Sequence, residues 1–572
     1  MWHRSHIGHR SEYSVERLLA FRDYYKRTSF TRAVAVCMLT PIPAITVALL
    51  IDCTPLRPPS EGWQANYGFW IRWFLALVAV SVGVTLQVRE VILPGAISNA
   101  GAVVISLGTA VTDVAVAFAV AVTWRFPIPF GYVLMVGPYL LIVLSLTLLV
   151  IGRRLLAESS VLRQQIKSQA TIIFAQGAVA MAYPFFTAVF YQLSGPGQTV
   201  FVLVIPLFKH VTKHIIANAA QGLHEYIGPI VVFSVDVFNV FYVAICMQIS
   251  KTMVTTLLII ASDSFHVIVA LRDIFHHAKV VTPSRDEEPS SSMNYLEDLP
   301  NVIRDLFEDA DILSRGCRIR VAAPFPLPLS DESSALLNSI SRDSRTTRTF
   351  SSSSRVNALG PAVLAAQQVT KPQSLDAPKQ HQALTASSAP TLDPEEKLQR
   401  KGSSPTRLPT LIHPGTATSA NRLHSALPRT AAEEAVRDAL QTLFHSEYLL
   451  MAEYTECTLP MLYAVYLPTL YHLPAAPYYP QTASSTPEKL TQDVINILIF
   501  GAVEFAGFVV LLFLLKRKFG ISPLYQLAFV LETQMRTVQG HLFVWTVFIL
   551  HMPLKHYGKF FLCLVLAPSC RL

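Results

Sequence analysis

An all-α, polytopic integral membrane fold, with about ten or eleven transmembrane helices and a large, mostly disordered cytosolic insert, is predicted by three observations. Hydrophobic residues make up 52% of the 572 and charged residues 15%, where soluble domains carry about 25% charged. The apolar residues gather in runs approaching the roughly 20 needed to cross a ~30 Å hydrocarbon core. These runs form two blocks on either side of a polar stretch from Arg272 to Arg429. The net charge of +8 sits beside the apolar runs and not on a basic face with interleaved aromatics, which argues for positive-inside topology and against nucleic acid as a partner. The lipid bilayer is the expected partner.

The organisation read from the chain is a basic cytosolic N-terminus (1–32), an N-terminal membrane domain of about eight helices (33–271), the insert (272–429), an amphipathic helix (430–455) and a C-terminal membrane domain of two or three helices (456–572). The first apolar run, Ala33 to Ile51, follows a polar segment containing Arg10, Arg17, Arg22, Lys26, Arg27 and Arg32 and is expected to act as an uncleaved signal anchor; Pro41 and Pro43 predict a kink. A loop with one basic residue, Arg57, lies outside, and a second helix runs from Tyr67 to Val88. Arg89 marks the return to the cytosol. Ala102 to Trp124 goes out again, and Gly131 to Gly152 comes back to the stop Arg153-Arg154.

Ala170 to Phe190 and a run from Val200 are the fifth and sixth spans. Ile227 to Ile249 and Met253 to Leu271, joined through Gln248, Ser250 and Lys251, form a tight hairpin or a partly re-entrant pair. Beyond Arg272 the periodicity fails, and the Ser-, Thr- and Arg-rich middle cannot bury enough apolar surface to offset chain entropy. The acidic, apolar run Leu296 to Leu313 reads as a partner helix, and Arg345-Thr-Thr-Arg348-Thr-Phe-Ser351 as a patch for a kinase or as plain linker. A ninth span runs from Thr458 to Tyr471. A tenth, Val494 to Leu515, ends at Lys516-Arg-Lys518, and the last run, Leu524 to Leu554, is one broken span or an interfacial helix plus a span.

Seven cysteines without a Cys-x-x-Cys pair indicate neither a zinc module nor a disulfide framework. No metalloprotease, nucleophile-elbow or phosphate-loop motif occurs, so no catalytic residue, cofactor or metal is assigned.

The phrases Arg17-Leu-Leu-Ala-Phe-Arg-Asp23, Pro59-Ser-Glu-Gly-Trp-Gln-Ala-Asn-Tyr67, Phe126-Pro-Ile-Pro-Phe130, Tyr471-His-Leu-Pro474, Lys516-Arg-Lys-Phe-Gly520, Leu524 to Gln534 and Gln539-Gly-His-Leu-Phe-Val-Trp545 together resemble a large family of uncharacterised multi-pass transmembrane proteins of oomycetes. The resemblance covers both membrane blocks. It implies a shared helical architecture and carries no functional residues.

An ionised group at mid-bilayer costs roughly 2.5 to 3.5 kcal/mol, so such residues face protein or water. The candidate intramembrane polar site is Asp113, Asp236, Asn239, Asp263, His266 and Glu504, with Arg72 as the positive partner. Asp236 and Asn239 share a helical face, and Asp263 and His266 lie on the next helix, a set suited to a cation or proton. The bland alternative is that each acid is hydrogen-bonded to a neighbouring helix or stays protonated. Lys209, His210, Lys213 and His214 read as lipid-headgroup contacts at a helix end. Two functions remain: a solute or ion transporter or channel built on these groups, and a receptor or scaffold acting through its insert on a cytosolic partner.

Overall fold

The computed structural model describes residues 11–193, 197, 204–249, 268–269, 271–272, 296–308, 319–346, 429–483 and 485–558. Asp263, His266, nearly all of the predicted eighth span, the stretch 347–428 and the final run from Lys559 lie outside these. Among the described residues every element is helical, with no strand.

Among the described residues, six helical stretches are long and apolar enough to cross a membrane: Phe30–Asp52, Tyr67–Val91, Asn99–Thr123, Gly131–Ile151, Gln221–Phe241 and Pro487–Phe519. The first divides into α2 (Phe30–Leu39) and α3 (Ile42–Asp52) at Thr40-Pro41, where the proline ring cannot continue the hydrogen-bond ladder. Helix α4 (Tyr67–Val91) and α5 (Asn99–Thr123) form an antiparallel pair; Ser98 caps α5 by accepting from the Gly101 N–H at 3.0 Å. Helix α6 (Val136–Ile151) stops at Gly152, whose φ of +81° a side-chain-bearing residue rarely adopts. Helix α7 (Ser160–Gln192) then carries the predicted fifth span through Pro184. Large apolar side chains such as Leu50, Val104, Leu141, Leu149 and Phe513 are exposed on the outer faces of these helices. Apolar exposure on that scale suits contact with lipid.

Helix α8 (Val204–Ala219) leads through a short 3₁₀ turn to α9 (Ile227–Val231) and α10 (Val237–Ile249), joined by one wide π turn over Val232–Asp236. Gln221–Phe241 is almost wholly enclosed by other helices. Within the insert, α11 (Asp298–Glu308) and α12 (Asp331–Thr346) pack on each other and on α1 (Val15–Arg27). The predicted acidic partner helix is α11; α12 extends order to Thr346, into the stretch that composition marks as structureless.

The predicted amphipathic helix and ninth span are one continuous helix, α13 (Arg429–Tyr471), about 65 Å long at 1.5 Å per residue. Pro460 and Pro468 lie inside it, as membrane helices tolerate. Helix α14 (Pro487–Phe519) packs along α13, ends in Lys516-Arg517-Lys518 and is closed by Gly520 at φ +71°. The last apolar run is two helices, α15 (Pro523–Thr533) and α16 (Met535–His551), broken at the buried Gln534.

The N- and C-terminal blocks are interleaved. Helix α16 packs on α3 and α4, and α15 packs on α1 and α2. At the α4/α16 crossing Gly83 and Gly540 face each other, and a Cβ on Gly83 would lie 2.5 Å from the Gly540 carbonyl oxygen. Small residues allow this backbone approach, which carries much of helix association in lipid.

Candidate functional site

The π turn before α10 ends at Asp236, whose side chain is fully buried. A π turn inserts one residue into a helix and re-aims the side chains beside it. Lys213 Nζ lies 2.8 Å from Asp236 Oδ1, and Lys209, one turn earlier on α8, lies 3.6 Å from the same oxygen. Lys209 also donates to Glu456 Oε1 at 2.5 Å. The Lys213 ammonium stands 5.5 Å from the Tyr448 ring centroid, a cation–π distance. Glu456 and Glu453, three apart on α13, meet Glu504 from the centre of α14; one carboxylate oxygen from each lies within 4.8 Å of the others, and all three residues are buried. Such a set can hold protons or a hard cation, because carboxylate oxygens at this separation converge on one small volume.

Asp236 and Glu504 therefore sit in one polar zone, as separate ends of a chain running through the lysines and Glu456. Asn239 is buried on α10, and its Oδ1 has no hydrogen-bond partner among the described residues. The headgroup expectation fits poorly with the placement of Lys209 and Lys213, which turn inward to Asp236 and Glu456; a full charge gains more from a nearby opposite charge in a low-dielectric setting than from a screened surface. His210 is exposed and His214 half-buried, their rings 4.4 Å apart. Glu453 and Glu456 are not flagged in the sequence because they straddle the boundary between the stretch assigned to the amphipathic helix, 430–455, and the ninth span expected from Thr458. Their i, i+3 spacing inside an otherwise apolar run was the available signal.

Arg72 is fully buried and is held by Asp52 at the end of α3, not by any of the flagged acids. Asp52 also accepts hydrogen bonds from the Tyr479 and Tyr466 hydroxyls, each at 2.8 Å, and His551 Nε2 lies 3.6 Å from it. Four helical segments and the 476–483 turn region thus meet at one ion pair. Asp113 stands apart from both clusters, enclosed between α4, α5, α6, α7 and α16.

A third polar layer joins α1 to the insert. Arg17 makes two hydrogen bonds to Glu447, at 2.8 and 2.9 Å, and Tyr13 donates to the same carboxylate. Glu16 accepts from the Ala323 and Leu327 N–H groups at 2.8 and 3.1 Å, and Asp23 from Ser330 N–H and Ser333 Oγ at 2.7 and 2.9 Å. Arg320 reaches Glu225 at 2.8 Å, and Glu225 also accepts from the Ser14 N–H. Burial raises the Glu16 carboxyl above its ordinary value; the two backbone donors oppose this and the nearby Glu225 adds to it.

No family model matches the chain, and neither a curated protein nor a solved structure matches it.

Proposed function

We propose that the chain is a multi-pass membrane transporter that couples a solute to a proton or small cation through Lys209, Lys213, Asp236, Glu453, Glu456 and Glu504. The observation that carries this reading is the sharing of Lys209 between carboxylates on two different helical segments, at 2.5 and 3.6 Å. A lysine with two anionic partners has two available pairings, of which the one to Glu456 is the shorter here. Protonating one carboxylate, or seating a cation beside it, shifts the lysine to the other and pulls α8 relative to α13. The enclosing of Gln221–Phe241 by other helices supports the same reading, since a central helix carrying a π turn and a buried acid is a common place for a pathway.

In this reading the N-terminus and the insert are cytosolic, in keeping with the basic clusters at 10–32, 153–167 and 516–518. Kinship with the oomycete multi-pass family belongs to the proposal as architecture only. Against the receptor or scaffold alternative, α11 and α12 turn their apolar faces to α1 and α13 and not to an outside partner.

The test is proton or cation flux in proteoliposomes containing the full chain, read with a pH-sensitive dye and with radioactive monovalent ions. Asp236→Asn, Lys209→Met and Glu504→Gln should each lower flux at least tenfold at unchanged protein recovery. Equal flux in wild type and all three variants would remove the proposal. Protease cleavage of the insert from the exterior would overturn the orientation.

A further inference from the structure

Helices α4, α5, α6, α7 and α16 line a partly open cavity of about 80 Å³ with Asp113 in its wall. By the measure in which one water needs roughly 10 to 15 Å³, this is room for several waters or one small organic group. Asp113 has no solvent exposure, and neither of its carboxylate oxygens has a hydrogen-bond partner among the described residues. No described lysine, arginine or histidine forms an ion pair with it. A fully buried carboxylate without donors is costly unless it is protonated or paired, and the described residues supply it no partner, which leaves its two oxygens open to a ligand.

The rest of the lining narrows that partner's chemistry. Trp73, Tyr132, Tyr139 and Trp545 contribute aromatic walls, and most of the remaining lining is aliphatic. The Trp545 indole N–H also lacks a partner among the described residues. Gln176, the other polar lining side chain, is already engaged, donating to Ser234 Oγ at 2.7 Å and lying 3.0 Å from His541 Nε2. A metal ion needs several oxygen ligands and would find one free carboxylate here. An anion would meet Asp113. A small ammonium ion would meet an opposite charge at Asp113 and aromatic side chains elsewhere in the lining, a setting that favours organic cations.

We propose that this cavity binds a small organic ammonium ion, with the Asp113 carboxylate as its counter-ion and the ring faces of Tyr132, Tyr139 and Trp545 as its walls. The site is separate from the Lys209–Asp236 cluster and does not rest on the transport reading.

The test is isothermal titration of the full chain in nanodiscs with tetramethylammonium, alongside neutral tert-butanol and sodium at equal ionic strength. Saturable binding of tetramethylammonium, with at least tenfold weaker binding of tert-butanol and sodium, is expected. Asp113→Asn, which keeps the side-chain shape, should lower the ammonium affinity at least tenfold while the thermal midpoint without ligand stays within a few degrees. Two results would overturn the proposal: wild-type protein binding tert-butanol as well as tetramethylammonium, which marks a merely apolar cavity, or no saturable binding of tetramethylammonium. The wild-type comparison decides the matter even if the variant fails to fold.

Discussion

Removing the Asp52 carboxylate leaves the Arg72 guanidinium, without solvent exposure, facing two phenols and a histidine. Breaking one side of a buried pair costs about 3 to 5 kcal/mol, whereas replacing both sides by apolar groups is often near neutral. Asp52→Asn should therefore lower stability by about that amount, and the double variant Asp52→Leu with Arg72→Met should recover most of it. Thermal unfolding in detergent, followed by loss of monodisperse protein, measures both. At this scale the sequence is half legible. Arg72 stands out because a cation inside an apolar run demands a partner. Asp52 does not, because an acid closing an apolar run just before a Pro-rich loop is ordinary; only the fold shows that it is drawn inward.

Helix positions followed from apolar periodicity, and the joints followed less well. Pro41 breaks its helix while Pro460 and Pro468 do not, although all three lie in apolar runs. Neighbouring segments decide whether the freed carbonyls find partners, and a linear pattern does not contain those neighbours. The Gly83/Gly540 contact was illegible for the same reason: two glycines 457 positions apart look like any others. Its consequence is testable. Gly83→Ala should push α4 from α16 and cost about 1 to 3 kcal/mol as an overpacked contact. Gly507→Ala, where an added Cβ meets nothing within 4 Å, serves as the neutral control. Circular dichroism melting of both variants in the same detergent gives the comparison.

Across the whole molecule, the insert is where composition and structure diverge. Residues 319–346 are held on α1 through backbone N–H groups given to Glu16 and Asp23, a mode of docking that hydrophobicity does not reveal. A deletion meant to test the insert should therefore spare 296–346. Replacing 351–425 by a Gly/Ser chain of equal length should leave stability unchanged, and removing 319–346 should lower it, as judged by recovery from detergent extraction.

The Glu16 contact also carries a pH dependence. The folded carboxyl is raised above its unfolded value, so the folded state binds its proton more tightly. The stabilisation is then fully present below the ordinary carboxylate range and is lost as pH rises through the raised value. Spin labels at Lys26 and Asn338, both exposed, should report one narrow distance at acidic pH that broadens as pH rises. Glu16→Gln should abolish that broadening; a broadening unchanged in Glu16→Gln would assign it elsewhere.

The interleaving of the two blocks sets a timetable for synthesis. Helix α4 presents Gly83 and Arg72 early, but α16 and Tyr479 emerge only after several hundred more residues, on the order of tens of seconds at about 5 to 20 residues per second. During that interval the Asp52–Arg72 pair lacks its two tyrosines, and the glycine face of α4 has only lipid or the insertion machinery against it. The nascent N-terminal half must wait in the membrane, partly unsatisfied, until the C-terminal helices arrive. Chains stalled before Met535 should accordingly be degraded faster than complete ones, which pulse-chase labelling of truncated and full-length forms would measure.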